Sequence, residues 1–529
     1  MEQAEKLIKQ IVFLGVSLHG NAGILPKWTK PTSIVSVLAL AASVASANSL
    51  NNTSPKANPR TEAEIARILE ATQPTTDFSQ PETFESKSGG ATTVPSRKDH
   101  EAFSQPSANL TLDRELDFLV GQGLFNKVWV TSPSSTKASD GLGPLYNARS
   151  CLRCHINDGR GHPPENAVDT AISMLARISV PGGETFGIPG YHPTQPHPEY
   201  GGQLQDFALA GMAPEFQLGI TYEEITVHLS EGETAKLRQP AYDMSDPGYG
   251  DFGAQAMFSP RIAPQMIGLG LLEAIPTTDI LAGADPDDAD GDGVLGRANI
   301  VWSSEFDRPM LGRFGHKAGM PTLHEQSAAA FSGDIGISSP LFPKASGDCT
   351  ASQSDCINAP HGDNDVRGNE IDQIAMDLLT LYTRNLAVPA RRDTGNPLVL
   401  DGKRVFYETG CIACHTPKFV THRLPEQPEQ SFQLIWPYTD LLLHDMGAGL
   451  ADNRPEAVAD GQEWRTAPLW GIGLTKQVSG HTYFLHDGRA RNLLEAVLWH
   501  GGEAEPQRDA VIKMPAADRA ALIAFLESL

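Results

Sequence analysis

Two five-residue runs, Cys151-Leu-Arg-Cys154-His155 and Cys411-Ile-Ala-Cys414-His415, constrain this chain more than any other feature. Each sets two thiols three residues apart and places a histidine directly after the second. That spacing lets two sulfurs reach the two vinyl groups of a porphyrin while the next imidazole turns under the iron, so each run reads as a covalent haem c attachment site. One match alone would also suit a thioredoxin-like dithiol or a zinc site. A zinc site needs four ligands, however, and each run supplies only two cysteines and a histidine. Two complete matches in a chain with 6 cysteines therefore predict two haems c, bound through Cys151, Cys154, Cys411 and Cys414, with His155 and His415 as iron ligands.

The other two cysteines, Cys349 and Cys356, close a short loop. Haem attachment outside the cytoplasm implies an oxidising compartment, where such a pair is expected as a disulfide. Export is also written in residues 1–47, read as a signal peptide or N-terminal anchor. A basic stretch ends at Lys30, an apolar run follows from Ile34 to Ala45, and Ala45-Ser-Ala47 offers a cleavage site. The run is short for a membrane span of roughly 20 residues. The expected location is the periplasm, with a membrane tether if the run is retained and no further membrane insertion. With 64 acidic against 41 basic residues the formal charge is −23, which repels nucleic acid and favours a basic redox protein or cationic substrate as partner.

Residues 48–110, rich in Asn, Thr, Ser, Pro and Gln, read as a flexible linker. The expected fold class is mostly α: two cytochrome c-like haem domains of related plan, at 111–385 and 386–529, with long loop insertions and few short strands. Gly121-x-x-x-Phe125 precedes the first motif and Gly402-x-x-x-Phe406 the second; each pair shares one helix face and suits a helix crossing closely over a porphyrin. Ala263-Pro-Gln-Met-Ile-Gly-Leu-Gly-Leu271 is echoed by Ala467-Pro-Leu-Trp-Gly-Ile-Gly-Leu474, as in a duplicated architecture. The insertions are 182–250, full of Gly, Pro and Tyr, and 341–370. Helical periodicity is clearest at 62–69, 371–386, 493–499 and 516–526.

The sixth position of each iron decides between electron transfer and peroxide binding. For the second haem the candidates are His444, Met446, His481, His486 and His500, and His500 is favoured because it ends an amphipathic helix. For the first they are His162, His316, Met320 and His324. Asp288, Asp290 and Asp292 alternate ahead of Gly293 like the opening of a calcium loop. Asn299 stands where the loop would need its twelfth ligand, so a solvated acidic turn is an equal reading.

These residues together resemble the bacterial di-haem oxidoreductases, relatives of the di-haem cytochrome c peroxidases and of the di-haem enzyme that matures methylamine dehydrogenase. The resemblance covers roughly residues 110–529. It is carried by Cys151-Leu-Arg-Cys-His-Ile-Asn-Asp-Gly-Arg-Gly161, Gly268-Leu-Gly-Leu-Leu-Glu-Ala-Ile-Pro276, Leu311-Gly-Arg-Phe-Gly315, Leu443-His-Asp-Met-Gly447 and His486-Asp-Gly488. It implies a peroxidase-type reaction at the N-terminal haem and electron relay at the C-terminal one. It places His500 where the peroxidases usually carry a distal methionine, and His316 where they carry a tryptophan between the haems. It puts Glu325 and Asp334 near the acid-base carboxylate, so His316, Glu325 and Asp334 are the catalytic candidates. Two other readings stay open: a non-enzymatic electron carrier, and a haem-bearing sensing or structural part of an iron-uptake assembly. The "thiol oxidoreductase" label used for some relatives gains little, because thioether bonds consume the four motif cysteines.

Overall fold

Polar caps start the helices where the apolar periodicity begins. The computed structural model describes residues 57–164, 173–363 and 368–529, all within one contact unit, Ala47–Leu529; the expected leader lies outside them. Thr61 opens α1 (Glu62–Thr72) with a capping box, its hydroxyl accepting from the Glu64 amide while the Glu64 carboxylate takes the Thr61 amide. Next comes α2 (Leu112–Asn126). Thr322, Asp372, Asn396 and Asn492 each accept a first-turn amide of α3 (Leu323–Ala330), α4 (Gln373–Arg384), α5 (Pro397–Glu408) and α6 (Leu493–Leu498). The last two helices are α7 (Glu505–Lys513) and α8 (Ala516–Ser528). Each helix expected from periodicity is thus present to within a turn. Among the described residues no helix is long and apolar enough to cross a membrane.

The mostly helical class with short sheets holds, but not every strand is short. Strands β1 (Met174–Pro181) and β4 (Met257–Ile262) pair antiparallel, Met174 opposite Ile262. Between them the insertion expected as loop folds into a hairpin of β2 (Gln217–His228) and β3 (Thr234–Ser245), each 12 residues. Leu218, Ile220 and Tyr222 alternate with Gly219, Thr221 and Glu223, the period of a strand, which the Gly and Pro content of the whole insertion masks. The hairpin fastens onto the C-terminal part: Tyr242 donates to Asp487 at 2.7 Å, and Arg238 to the carbonyls of Gly488 and Arg489 at 2.8 and 3.0 Å. A small pair, β5 (Leu443–Asp445) with β6 (Glu463–Arg465), brings His444 opposite Trp464.

Two helix crossings organise the aromatic cores. At Gly121 α2 meets α4 so closely that a Cβ would lie 2.3 Å from the Leu378 carbonyl oxygen; at Gly402 α5 meets α8, where a Cβ would lie 1.9 Å from the Ala521 oxygen. The glycines therefore serve helix-on-helix contact rather than the porphyrin crossing expected for them. The aromatic residue four positions on reaches the motif instead: Phe125 and His155 have ring centroids 6.2 Å apart, Phe406 and His415 6.1 Å. One core gathers Phe118, Phe331 and Tyr382, the other Phe406, Tyr438 and Phe525. The two echo segments meet between them. Gln265 donates to the Trp470 carbonyl at 2.7 Å, and Gly268, at φ +70°, packs on the Trp470 ring.

The described part of the expected linker, residues 57–110, differs from a tether. Ala102 and Phe103 are fully buried, Lys403 reaches Glu82 and Glu85 at 2.8 and 2.9 Å, and Arg391 pairs with Glu85. Averaged composition hides these anchors because they are few and widely spaced in a polar stretch.

Candidate haem sites

The first motif forms a single helical turn, Cys151–Cys154, and the second a tight turn, Cys411–Ala413. In both, the histidine that follows is half-buried, with the same support. His155 donates from Nδ1 to the Pro264 carbonyl at 2.7 Å, and His415 from Nδ1 to the Tyr438 carbonyl at 2.9 Å. A hydrogen bond there fixes the tautomer and leaves the Nε2 lone pair for a metal, the usual support of a ligating histidine. Burial pushes both imidazoles down to about 4, so both are neutral, as a ligand must be. None of the four motif cysteines is in a disulfide. Burial raises Cys151 and Cys411 to about 12, which keeps them from acting as a redox dithiol.

All six of these residues line one cavity of about 600 Å³. Its walls are largely apolar, with Met266, Leu269, Leu323 and Leu379 on the first motif's side and Leu450, Phe484, Val497 and Leu522 on the other. Set into them are buried guanidiniums with incomplete partners. The Nε atoms of Arg160, Arg313 and Arg454 are buried without a hydrogen-bond partner, and burial pushes each of the three down to about 10. A mainly apolar cleft with orphaned cationic donors fits a flat apolar macrocycle bearing carboxylates, so the residues present suit haem.

Of the axial candidates, His500, His444, Met446 and His486 line the cavity; His481 does not. His500 follows α6, donates from Nδ1 to the Ala496 carbonyl at 2.7 Å and is held below its ordinary pKa by burial; its charge would be felt at His415. His444 is already committed, bridging Asp440 at 2.8 Å and Glu503 at 2.7 Å. Burial alone would lower it, but the two carboxylates outweigh burial and hold the ring well above its ordinary value. On the first motif's side, His316 and Met320 line the cavity, whereas His162 and His324 do not. His316 spends Nε2 on the Ile262 carbonyl at 2.9 Å, and burial holds it far below its ordinary pKa.

Asp334 lies at the cavity wall beside the first motif, accepting from Gln203 at 2.7 Å, its carboxyl raised by burial. Glu325 is not among the lining residues; its two oxygens accept from the Ser303 hydroxyl and the Ser304 amide at 2.7 and 2.8 Å, and its neighbour Gln326 lines the cavity instead. A rotation of about 100° from one residue to the next separates facing in from facing out, a distinction that proximity in sequence does not carry. Sequence reasoning missed Trp464. Its indole lies edge-on to His316 at 6.4 Å and stacks on His486 with centroids 3.7 Å apart and planes 11° apart. The indole thus stands against the histidine that occupies the tryptophan-like place. Only the pairing of β5 with β6 brings it there, so no local signal could have found it.

In the acidic turn the carboxylates that converge are Asp285, Asp288 and Asp290, not Asp288, Asp290 and Asp292. Asp292 accepts instead from the Val294 amide at 2.8 Å. Asn299 is buried, donating to the Lys317 and Glu456 carbonyls. Cys349 and Cys356 come together with Cα atoms 6.2 Å apart, within the reach of a disulfide.

A family model described as "Di-haem oxidoreductase, putative peroxidase" matches residues 83–529. No curated protein matches the chain. Among solved structures, a chain of hydrazine synthase from Kuenenia stuttgartiensis, pressurized with xenon, aligns over 90% of this chain and 100% of its own at 12% identity and a TM-score of 0.31. A similarity that weak carries no argument about fold or function.

Proposed function

Because the chain belongs to the di-haem oxidoreductase family, we propose that it is an exported, periplasmic oxidoreductase with two covalent haems c, which transfers electrons and reduces peroxide at its N-terminal site. The observation that carries this is the matched pair of half-buried, neutral imidazoles, His155 and His415, each with Nδ1 on a backbone carbonyl and both lining one cavity. When bound, haem would supply the one-electron couple and an iron able to take peroxide.

The chain's own residues would divide the work. Cys151, Cys154, Cys411 and Cys414 would hold the haems through thioethers, and His155 and His415 would be iron ligands. Arg160, Arg313 and Arg454 meet the carboxylates. His500 would be a further iron ligand at the second site, which would suit that site to passing electrons. At the first site His316 has Nε2 engaged elsewhere, which favours an open position there. Cleavage of a peroxide bond needs a proton delivered to the departing oxygen, since hydroxide leaves poorly. Asp334, whose raised pKa favours the protonated form, is the carboxyl placed to hold that proton. The stacked Trp464 and His486, with His316 against the indole, give electrons a contiguous aromatic path.

A non-enzymatic electron carrier is the second reading, favoured by the closed second site alone. The test uses protein from a host competent in cytochrome maturation. Intact mass should exceed the bare chain by two haems. An optical and EPR redox titration should show one low-spin iron that changes in His500→Ala and a second iron that binds cyanide and turns over peroxide. Two inert low-spin irons would leave the carrier; a bare-chain mass would end both readings.

A further inference from the structure

Helix α2 is apolar on two opposite faces, and only one of them is used. Phe118, Gly121 and Phe125 point inward and are buried. Leu112, Leu116, Leu119 and Val120 recur at i, i+4, i+7 and i+8, the spacing of a single face, and are 72%, 56%, 52% and 53% exposed. A contiguous apolar helix face left in water is the mark of an interaction surface. At 100° per residue, Asp113 and Asp117 fall on one flank of this face and Glu115 on the other, and all three are exposed. Arg114, the helix's one cation, is turned away into an ion pair with Glu429 at 2.5 Å. The carboxylates around the leucines are therefore uncompensated.

We propose that this face docks a small basic redox protein, one whose contact patch is apolar at the centre and lysine-rich at the rim; the inference rests on the proposed redox function. The charge selects the occupant. A second copy of this chain would set the same three carboxylates against themselves in a two-fold contact, and an anionic membrane would meet like charge. A cationic partner gains attraction at the rim and burial at the centre. The docked partner would sit on the helix whose far end brings Phe125 to within 6.2 Å of the His155 ring, so it would lie over the element that supports the first motif.

The test measures, by stopped flow, electron transfer between the haem-loaded protein and a reduced, lysine-rich cytochrome c. Neutralising the rim with Asp113→Asn, Glu115→Gln and Asp117→Asn should lower the second-order rate about tenfold at low salt, with the difference vanishing at high salt. Leu116→Gln with Leu119→Gln should weaken binding about tenfold at any salt. An equal charge removal on the distant hairpin, Glu223→Gln with Asp243→Asn and Asp246→Asn, should change either quantity less than about twofold. An equal slowing by the hairpin variant, or no effect of the leucine pair, overturns the proposal. So does a dimer in sedimentation, or binding to phospholipid vesicles, that the leucine pair abolishes. Reduction by ascorbate should be the same in every variant. Protein without added haem mass would remove this inference together with the function beneath it, whereas intact haem reduction with unchanged docking would remove this inference alone.

Discussion

Two glycines two residues apart on α2 should respond to alanine in opposite directions. At Gly121 a new Cβ would lie 2.3 Å from the Leu378 carbonyl oxygen and 2.7 Å from Tyr382 Cβ, whereas at Gly123 it would meet nothing within 4 Å. To reach ordinary contact, α2 would have to retreat from α4 by about 1 Å, and the nearest atom is backbone, which cannot rotate aside. Overpacking of this kind costs ~1–3 kcal/mol. Alanine returns about 1 kcal/mol of helix propensity at either site. Gly121→Ala should therefore be net destabilising by up to ~2 kcal/mol, and Gly123→Ala stabilising by up to about 1 kcal/mol. The two variants should separate by the overpacking cost, ~1–3 kcal/mol. Denaturant midpoints of the haem-loaded protein, followed by tryptophan fluorescence, give the comparison. Because α2 also carries Phe125 to the His155 ring, Gly121→Ala should in addition perturb the absorption of one haem. Equal midpoints for the two variants would refute the packing argument, since nothing but the neighbour across the crossing distinguishes them.

Asp334→Asn should lower the rate of peroxide reduction about 100-fold while keeping an oxygen for the Gln203 amide. Glu325→Gln should leave the rate within about threefold and cost ~1–3 kcal/mol of stability, because it disturbs two buried hydrogen bonds; the reverse pattern in steady-state kinetics would exchange their roles. Glu215, buried and accepting from the Gln205 amide and Gln353 at 2.7 and 2.5 Å, is pushed by burial from 4.5 up to about 8. A folded pKa above the unfolded one means that its contribution is intact below 4.5 and is lost as the pH rises through about 8. The wild type should accordingly lose stability relative to Glu215→Gln between pH 5 and pH 8, and parallel midpoint-against-pH curves would argue against a buried, protonated Glu215.

The pieces with local causes were legible in the sequence. The two Cys-x-x-Cys-His runs could be read as attachment sites because that chemistry would depend on residues adjacent in the chain. Helices over 62–72, 373–384, 493–498 and 516–528 follow from periodicity and caps that act within a turn. Even Gly121 and Gly402 were visible as special, though the close neighbour is another helix. What the chain could not disclose on its own depends on pairing across long separations. Trp464 joins His316 and His486 only through a strand pair; Arg160, Arg313 and Arg454 reach one cavity from distant segments; and Glu325 turns away from the cavity that its neighbour Gln326 lines. The hairpin at 217–245 and the anchored segment at 57–110 belong to the same class, since each gains its energy from contacts hundreds of residues away. The proposed covalent attachment would depend on five consecutive residues, so the sequence alone is enough to point to it. The surroundings of the iron are set by which buried polar groups find partners once the chain has closed on itself, and only the tertiary structure decides that.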